Sequence, residues 1–432
     1  MSWHKSTYAG WGRALQATGE IALPAQRDQI AQLDGPAPAM GMRRSYGDAA
    51  LNSDGRIIDM RGLDRFLSFD PDTGILELEA GARIGDVAAS FAPRGWLPAV
   101  MPGTGFATIG GCIGQDVHGK NHHHMGSFCQ HVTEITLLQN GTEITAKPNS
   151  ALFRATAGGL GQTGVITRAK IHLIPAKGDL MLVTERRARN WDEHIALLDA
   201  SEANYTVGWI DATATGSALG RGIVEEGENA AGLSRKRPRP ARVPLDAPHF
   251  ALAKPVVRAF NWAYFHRVPR SGRTVLRSLQ DFFFPLDKIH DWNRLYGKRG
   301  FYQFQCVVPL DQAPALRAML QDIALSGLAS PLAVLKRMGA GRAGYLSFPM
   351  EGYTLAIDFP NRPEARSLIQ RLQTMTADAG GRLYFAKDGL ATGPVIAAMY
   401  PDLPKWQRAC AKADPECALA TDLVRRLNLR TA

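Results

Sequence analysis

Pro102-Gly-Thr-Gly-Phe-Ala-Thr-Ile-Gly-Gly-Cys-Ile-Gly-Gln-Asp-Val-His-Gly-Lys-Asn121 is the stretch whose reading decides the fold. Glycine lets backbone N–H groups converge on an anion with no Cβ in the way, so a turn this rich in it can cradle a diphosphate. Two more glycine clusters flank it, Gly41-Met-Arg-Arg-Ser-Tyr-Gly47-Asp48 and Gly158-Gly-Leu-Gly-Gln-Thr-Gly164. The last contains a literal G-x-G-x-x-G in Gly159, Gly161 and Gly164. A dinucleotide fingerprint of that kind must open a helix, whereas Val165-Ile-Thr-Arg-Ala-Lys-Ile171 has a strand pattern. The Rossmann reading therefore fails on context. No Walker loop, G-x-S-x-G elbow or H-E-x-x-H motif is present.

Outward from the glycines the pattern is mixed α/β. Ile75-Leu-Glu-Leu-Glu-Ala80 alternates as a half-buried strand. Ile84, Val87, Ala88 and Phe91 recur at helical spacing, and Pro93 and Gly95 stop that helix. Residues 135–138, Asn140-Gly141 and 142–145 predict a β-hairpin, because Asn-Gly supplies two positive-φ positions. Val165 to Ile174 predicts a further strand closed by Pro175. Later strands are expected at Tyr302–Val308 and Tyr353–Phe359. On the first of these, Gln303 and Gln305 share one face, and Tyr302, Phe304 and Cys306 the other. Two amides projecting together suit sugar hydroxyls, or else face solvent. A last helix is predicted after Asp414-Pro415, with Leu419, Leu423 and Leu427 on one face.

The 432 residues are 45% apolar and 21% charged, which excludes disordered, collagen-like and coiled-coil chains and leaves room for two or three domains. Apolar runs fall far short of the ~20 residues a spanning helix needs. The start, Met1-Ser2-Trp3-His4-Lys5, has no stretch of signal-peptide length. Five cysteines (112, 129, 306, 410 and 417) form no CxxC and no even framework. A soluble, cytoplasmic protein is expected, with no metal site.

The net charge of +10 is concentrated in one place. Residues 234–300 hold fifteen Lys/Arg against four acids, leaving thirty-five bases and thirty-six acids elsewhere. The segment opens as Ser234-Arg-Lys-Arg-Pro-Arg-Pro, too rich in Pro and like charge for regular structure, so 225–245 reads as a mobile loop. Its basic residues are mixed with aromatics such as Phe260, Trp262 and Tyr264. That mixture suits anionic lipid, a phosphorylated ligand or nucleic acid, or is only solvated charge. Confinement to one segment argues against general nucleic-acid binding and makes 234–300 the candidate for contact with the inner face of the membrane. Histidines cluster too: His118, His122, His123, His124 and His131 follow a chain empty of them since His4. Adjacent histidines cannot all face one ion, and no carboxylate or Cys spacing completes a site. A polar role for His118 and Lys120 at a reaction centre, or simple support of the turn, remains.

The combination Arg44-Ser-Tyr-Gly-Asp48, Pro102-Gly-Thr, Asp116-Val-His-Gly-Lys-Asn-His-His123 and Tyr384-Phe-Ala-Lys-Asp388 resembles the FAD-linked oxidases of the vanillyl-alcohol-oxidase type. Within them it is most similar to the decaprenylphosphoryl-β-D-ribose 2′-oxidases. The likeness continues through Asp291–Gly297, Phe301–Gln305, Leu346–Pro349 and Ile357–Pro360, and is weakest over 215–280. It implies an α+β flavoprotein of two domains. An FAD-binding domain would be made from 1–176 and 379–432, and a substrate domain on an antiparallel sheet from 177–378.

The cofactor contacts implied are Gly41, Arg43, Arg44, Ser45, Tyr46, Gly47, Asp48, Gly103, Thr104, Thr108, Ile109, Gly110, Gly111, Gln115, Asp116 and His118. Ile166 and Tyr384 would close on the cofactor. Relatives often fix the flavin through a His in the first glycine turn; here Arg44-Ser45-Tyr46 stands there, which implies noncovalent FAD. The resemblance also implies oxidation of the 2′-hydroxyl of a polyprenyl-phosphoryl pentose by hydride transfer to flavin N5, the first half of an epimerisation. Lys387, His118 and Lys120 would serve catalysis, and Tyr46, Lys120, Tyr296, Gln303, Gln305, Lys336 and Lys387 would bind substrate. A short-chain NAD(P)H-dependent reductase is the implied partner. A soluble aldonolactone or alditol oxidase is the alternative enzyme, and a basic binding module on a flavoprotein scaffold the alternative outside enzymes. Several relatives carry a Cys in the strand matching 353–359, where this chain has Thr354 and Ala356.

Overall fold

Period-two burial builds the N-terminal sheets. In the computed structural model, which describes residues 2–235 and 240–431, Leu76 and Leu78 of the Ile75–Glu79 strand are fully buried. That strand pairs antiparallel with Val165–Pro175, which pairs with Val132–Gln139, and Val132–Gln139 pairs in turn with its hairpin mate Thr142–Ala146. Asn140 and Gly141 take φ of 46° and 80°, the left-handed pair that a tight hairpin turn needs. The Ile84–Phe91 helix lays Ile84, Val87, Ala88 and Phe91 on this sheet's core, and Gly95 beyond it sits at φ 83°. A four-stranded sheet of His4–Ala9, Gln16–Ala22, Arg56–Asp59 and Ala39–Met40 carries the 41–48 turn. The strand after Gly164 is real, so the G-x-G-x-x-G opens no helix.

The second half is organised by one eight-stranded antiparallel sheet. Its spatial order is Arg273–Ser278, Leu180–Ala188, Gly222–Ala230, Tyr205–Ile210, Ala333–Met338, Gly352–Pro360, Phe301–Val308 and Arg382–Leu383. Residues directly opposite across a pairing share a face. The registers Gln303↔Asp358, Gln305↔Ala356, Lys336↔Thr354 and Val207↔Glu225 therefore place all eight on one side. Tyr302, Phe304, Cys306, Leu355, Ile357 and Phe359 lie on the other, in the core beneath the helices Ala313–Ser326 and Pro363–Asp378. An α+β flavoprotein architecture with an antiparallel substrate sheet is what the chain builds.

Three expectations need correction. Residues 225–230 are not loop: Gly222–Ala230 is a nine-residue strand held by neighbours on both sides. Ala241–Arg242 also pairs, with Ile289–His290; Lys236, Arg237 and Arg239 lie outside the described residues. The last helix spans only Asp422–Arg426, after Thr421. Asp414 instead closes a turn, its carboxylate accepting from the backbone N–H groups of Ala418 and Leu419 and from Arg430. Third, the segment 379–432 does not serve the cofactor half alone. Arg382–Leu383 is the edge strand of the large sheet, and Ile396, Tyr400, Trp406 and Leu423 fill the core under that sheet. A two-residue strand leaves no periodic trace to read.

Candidate active site

A cavity of about 1290 Å³ lies between the glycine turns and the polar face of the large sheet. It exceeds the roughly 300–1,000 Å³ usual for a single ligand, as a site for cofactor and substrate together must. Fourteen of the residues expected at the cofactor line it: Gly41, Arg43, Arg44, Ser45, Tyr46, Gly103, Thr104, Thr108, Gly110, Gly111, Gln115, His118, Ile166 and Tyr384. Gly47, Asp48, Ile109 and Asp116 do not, and each has another task. Ile109 is buried in the hydrophobic core. A Cβ at Gly47 would collide with the carbonyl of Asp388, and Asp48 is bound by Arg426 at 2.7 and 2.8 Å. The Asp116 carboxylate accepts from the Cys129 and Ala343 backbone N–H groups and the Ser347 hydroxyl, tying the glycine turn to the 343–347 segment.

The site fits FAD on its own chemistry. A Cβ added at Gly103 or Gly161 would meet no neighbouring atom, so bare backbone faces open space at the cavity wall. The Arg44 guanidinium is sandwiched between Trp11 and Phe106, 3.9 and 4.4 Å from the ring centroids. Burial lowers its pKa to about 10, and its Nε has no hydrogen-bond partner among the described residues. A largely buried cation with an orphaned donor beside naked glycine backbone calls for an anion, and the pyrophosphate of FAD would meet that need. The wall is braced from the other half, where Asp287 accepts from Thr104 Oγ1 at 2.8 Å and from the Gly105 N–H at 2.7 Å.

On the sheet side, neutral polar groups and amines gather. Gln305 Nε2 lies 3.0 Å from His118 Nε2 and donates to Thr354 Oγ1 at 3.2 Å. Lys336 Nζ is 3.0 Å from His118 Nδ1. Burial, then the Lys336 charge, hold the His118 pKa well below its usual value, so the ring is neutral at pH 7. With Nε2 accepting from the amide, the ring proton sits on Nδ1 and meets the lone pair of a neutral Lys336. Burial, reinforced by Lys120 and Lys387, brings that lysine to about 7. A charged Lys336 would require the amide to turn its oxygen to Nε2 instead. Lys387 Nζ lies 3.7 Å from the Tyr46 ring centroid, and burial pushes its pKa down against the pull of Asp358. Asp358, fully buried, is pushed up by burial although Gln303 and Tyr296 donate to it, the tyrosine at 3.0 Å.

All seven expected substrate residues line the cavity, yet they do not form one cluster. Lys120 turns away from His118: its ammonium donates to the Phe282 carbonyl at 2.6 Å, over that residue's ring, and lies 3.9 Å from Glu225. The histidines scatter, with His122 taking the Gly339 N–H, His123 facing the Ala203 carbonyl and His131 that of Met125. No group of three or more His, Cys, Asp or Glu that could hold a metal occurs among the described residues. Asp358 escaped the sequence reading, although its period-two relation to Thr354 and Ala356 could have placed it on the polar face.

Fold and site define an FAD-dependent oxidoreductase. Residues 30–147 match the FAD binding domain family. Decaprenylphosphoryl-β-D-ribose oxidase of Mycolicibacterium smegmatis is 35% identical over 97% of this chain and 97% of that protein. A Streptomyces coelicolor protein known as the uncharacterized protein in the mprA 5′ region is 33% identical over 78% of the chain and 97% of its own length. D-arabinono-1,4-lactone oxidase of Yarrowia lipolytica reaches 26% over 35% of the chain and 31% of that protein. The chain belongs to the vanillyl-alcohol-oxidase type of FAD-binding oxidoreductases, in the family that contains decaprenylphosphoryl-β-D-ribose oxidase.

Proposed function

We propose that this enzyme oxidises the 2′-hydroxyl of a polyprenyl-phosphoryl pentose to the keto sugar, with FAD bound noncovalently. The observation that carries the reading is the polar floor, where His118, Gln303, Gln305, Lys336 and Lys387 face one space beside the glycine turns. Amide and imidazole edges at a cavity wall suit a polyhydroxylated ring. The name of the M. smegmatis relative supports the same substrate class. FAD, when bound, supplies the acceptor for the hydride leaving the alcohol carbon. The turns at 41–46 and 103–118 would hold it, with Arg44 against its pyrophosphate. No histidine stands between His4 and His118, so the first turn offers no imidazole for a covalent link.

Lys387 Nζ takes the hydroxyl proton, because burial leaves its amine a lone pair near neutral pH. The Tyr46 ring restricts where that amine can go. Gln303 and Tyr296 fix the Asp358 carboxyl, which tunes the lysine through its charge. Gln305, held by Thr354, and the His118–Lys336 pair orient the sugar hydroxyls. The keto product would pass to a short-chain NAD(P)H-dependent reductase. Half-exposed Val256 and Phe260 at the cavity mouth, on a helix that also carries Lys254 and Arg258, support contact with the inner face of the membrane. No helix among the described residues is long and apolar enough to cross one.

Anaerobic mixing with farnesylphosphoryl ribofuranose tests the reading. Flavin bleaching by that compound, and none by a free pentitol or aldonolactone, is expected. The reverse pattern would replace it with the aldonolactone-oxidase reading.

A further inference from the structure

Following the sheet away from Lys336 leads in two strand steps to Glu225. At 4.7–4.9 Å per step that is roughly 10 Å. Here the floor changes character. Glu225 lies 3.0 Å from Arg277 Nη1, 3.3 Å from Arg267 Nη2 and 3.9 Å from Lys120 Nζ. Directly opposite it on the next strand, Glu185, with no solvent exposure, receives Arg267, Arg273 and Arg277. Lys120, Glu225, Arg267 and Arg277 face the cavity, while Glu185 and Arg273 do not line it.

Four cations against two carboxylates leave two positive charges without a counter-charge inside the cluster. Glu185 is fully buried while Lys120, Arg267, Arg273 and Arg277 keep 14–36% of their side-chain surface exposed, so the surplus charge lies on the open side of the network, where an anion can reach it. Arg267 Nε is moreover buried with no hydrogen-bond partner among the described residues. The two glutamates hold the guanidinium planes in place and leave the surplus charge and that donor to something else. Beyond the cluster the cavity ends in apolar side chains open to solvent, among them Val256 at 48% and Phe260 at 51% exposure. The sequence of environments is thus polar floor, cationic cluster, apolar mouth.

We infer that Arg267, Arg277 and Lys120 form the seat for the phosphate of a lipid-linked substrate, between the sugar site at His118–Gln305 and the apolar mouth that takes the chain. The inference rests on the proposed substrate class and assigns it a second recognition point. It also gives Lys120 a task other than catalysis. Guanidinium groups suit phosphate oxygens by geometry, and the lysine adds a point charge. No bond is made or broken at this seat; it binds and sets register.

The test uses the FAD-loaded enzyme and farnesyl phosphate, which has lipid and phosphate but no sugar, with binding read by calorimetry. Farnesyl phosphate should bind at least ~10-fold more tightly than farnesol, and more tightly than inorganic phosphate. Inorganic phosphate binding equally well would make the seat one for free phosphate and overturn the lipid assignment. Lys120→Met should weaken farnesyl phosphate by about tenfold, and Arg277→Lys by a similar factor. Glu225→Gln removes a competing negative charge and should tighten it several-fold. Unchanged affinity in Lys120→Met and Arg277→Lys, or weakening in Glu225→Gln, would overturn the seat. Because the readout needs no turnover, it separates from the substrate reading. Charge-dependent binding without flavin bleaching by any polyprenyl-phosphoryl pentose keeps the seat and removes that substrate. Bleaching with KM unchanged in Lys120→Met keeps the substrate and removes the seat.

Discussion

The two ends of one sheet face treat buried charge in opposite ways. On the strands at 301–308, 333–338 and 352–360, burial drives Lys336 and Asp358 toward their neutral forms, and with them the neighbouring His118 and Lys387. On the strands at 180–188, 222–230 and 273–278, burial comes with ion pairs. Glu185 is held at about 2 by its arginines although burial itself pulls the other way, and Arg267 and Arg277 are raised. The difference is pairing. Three arginines stand against Glu185, whereas Lys387 shares one carboxyl that is itself driven toward protonation. One end therefore holds groups that burial drives toward their neutral forms, and the other holds arginines and Glu185 in their charged forms.

That contrast can be broken most severely at the fixed end. Glu185→Gln removes the carboxylate that three arginines share, and should cost about 3 kcal/mol or more of stability, read as a lowered melting temperature of the holoenzyme. At the opposite end, Lys387→Ala should slow flavin reduction by substrate ~100-fold or more while FAD stays bound, measured by anaerobic stopped flow. Unchanged reduction kinetics would remove the amine from the chemistry. A third probe sits between the ends. Burial lowers Lys120 to about 8, while Glu225 pulls it back up and Arg277 pushes it further down. Its charge is lost as pH rises through about 8, so farnesyl phosphate affinity should fall above that pH, by up to about tenfold, and Lys120→Met should flatten the profile. The smallest effect sharpens the contrast from the reacting side. Ala356 stands beside Gln305 with no thiol, and four of the five cysteines are buried elsewhere. Ala356→Cys should change turnover by less than about twofold but make the enzyme sensitive to iodoacetamide, since only access is altered.

Part of the face on strands 301–308 and 352–360 is legible in the sequence. Period-two geometry places Gln303 and Gln305 on one face, as the sheet does. Asn140-Gly141 fixed a hairpin through positive φ alone. The fixed-charge end was not readable, because Glu185 and Arg277 stand 92 positions apart on strands paired only in the fold. In sequence its arginines merged into a basic segment, and their carboxylate partners lay outside it. Asp414 misled for a related reason: a residue that commonly caps a helix spends its carboxylate on a turn and on Arg430. Glycine turns likewise did not reveal which members face the ligand and which, like Gly47, face another part of the chain.

Gly47 itself has a consequence for how the enzyme is made. Its close approach to Asp388 is reinforced by the Tyr46 N–H donating to the Ala386 carbonyl at 2.8 Å, and by Arg426 spanning Asp48 and Asp388. Arg426 follows Asp48 by 378 positions. At roughly 5–20 residues per second of synthesis, the first glycine turn therefore waits about 20–75 s for its fastening partners. Until then the cavity wall at 41–46 has no C-terminal buttress, and Lys387 has not joined it. Loading of FAD should accordingly follow synthesis of the segment that carries Lys387 and Arg426, rather than accompany folding of the first glycine turn.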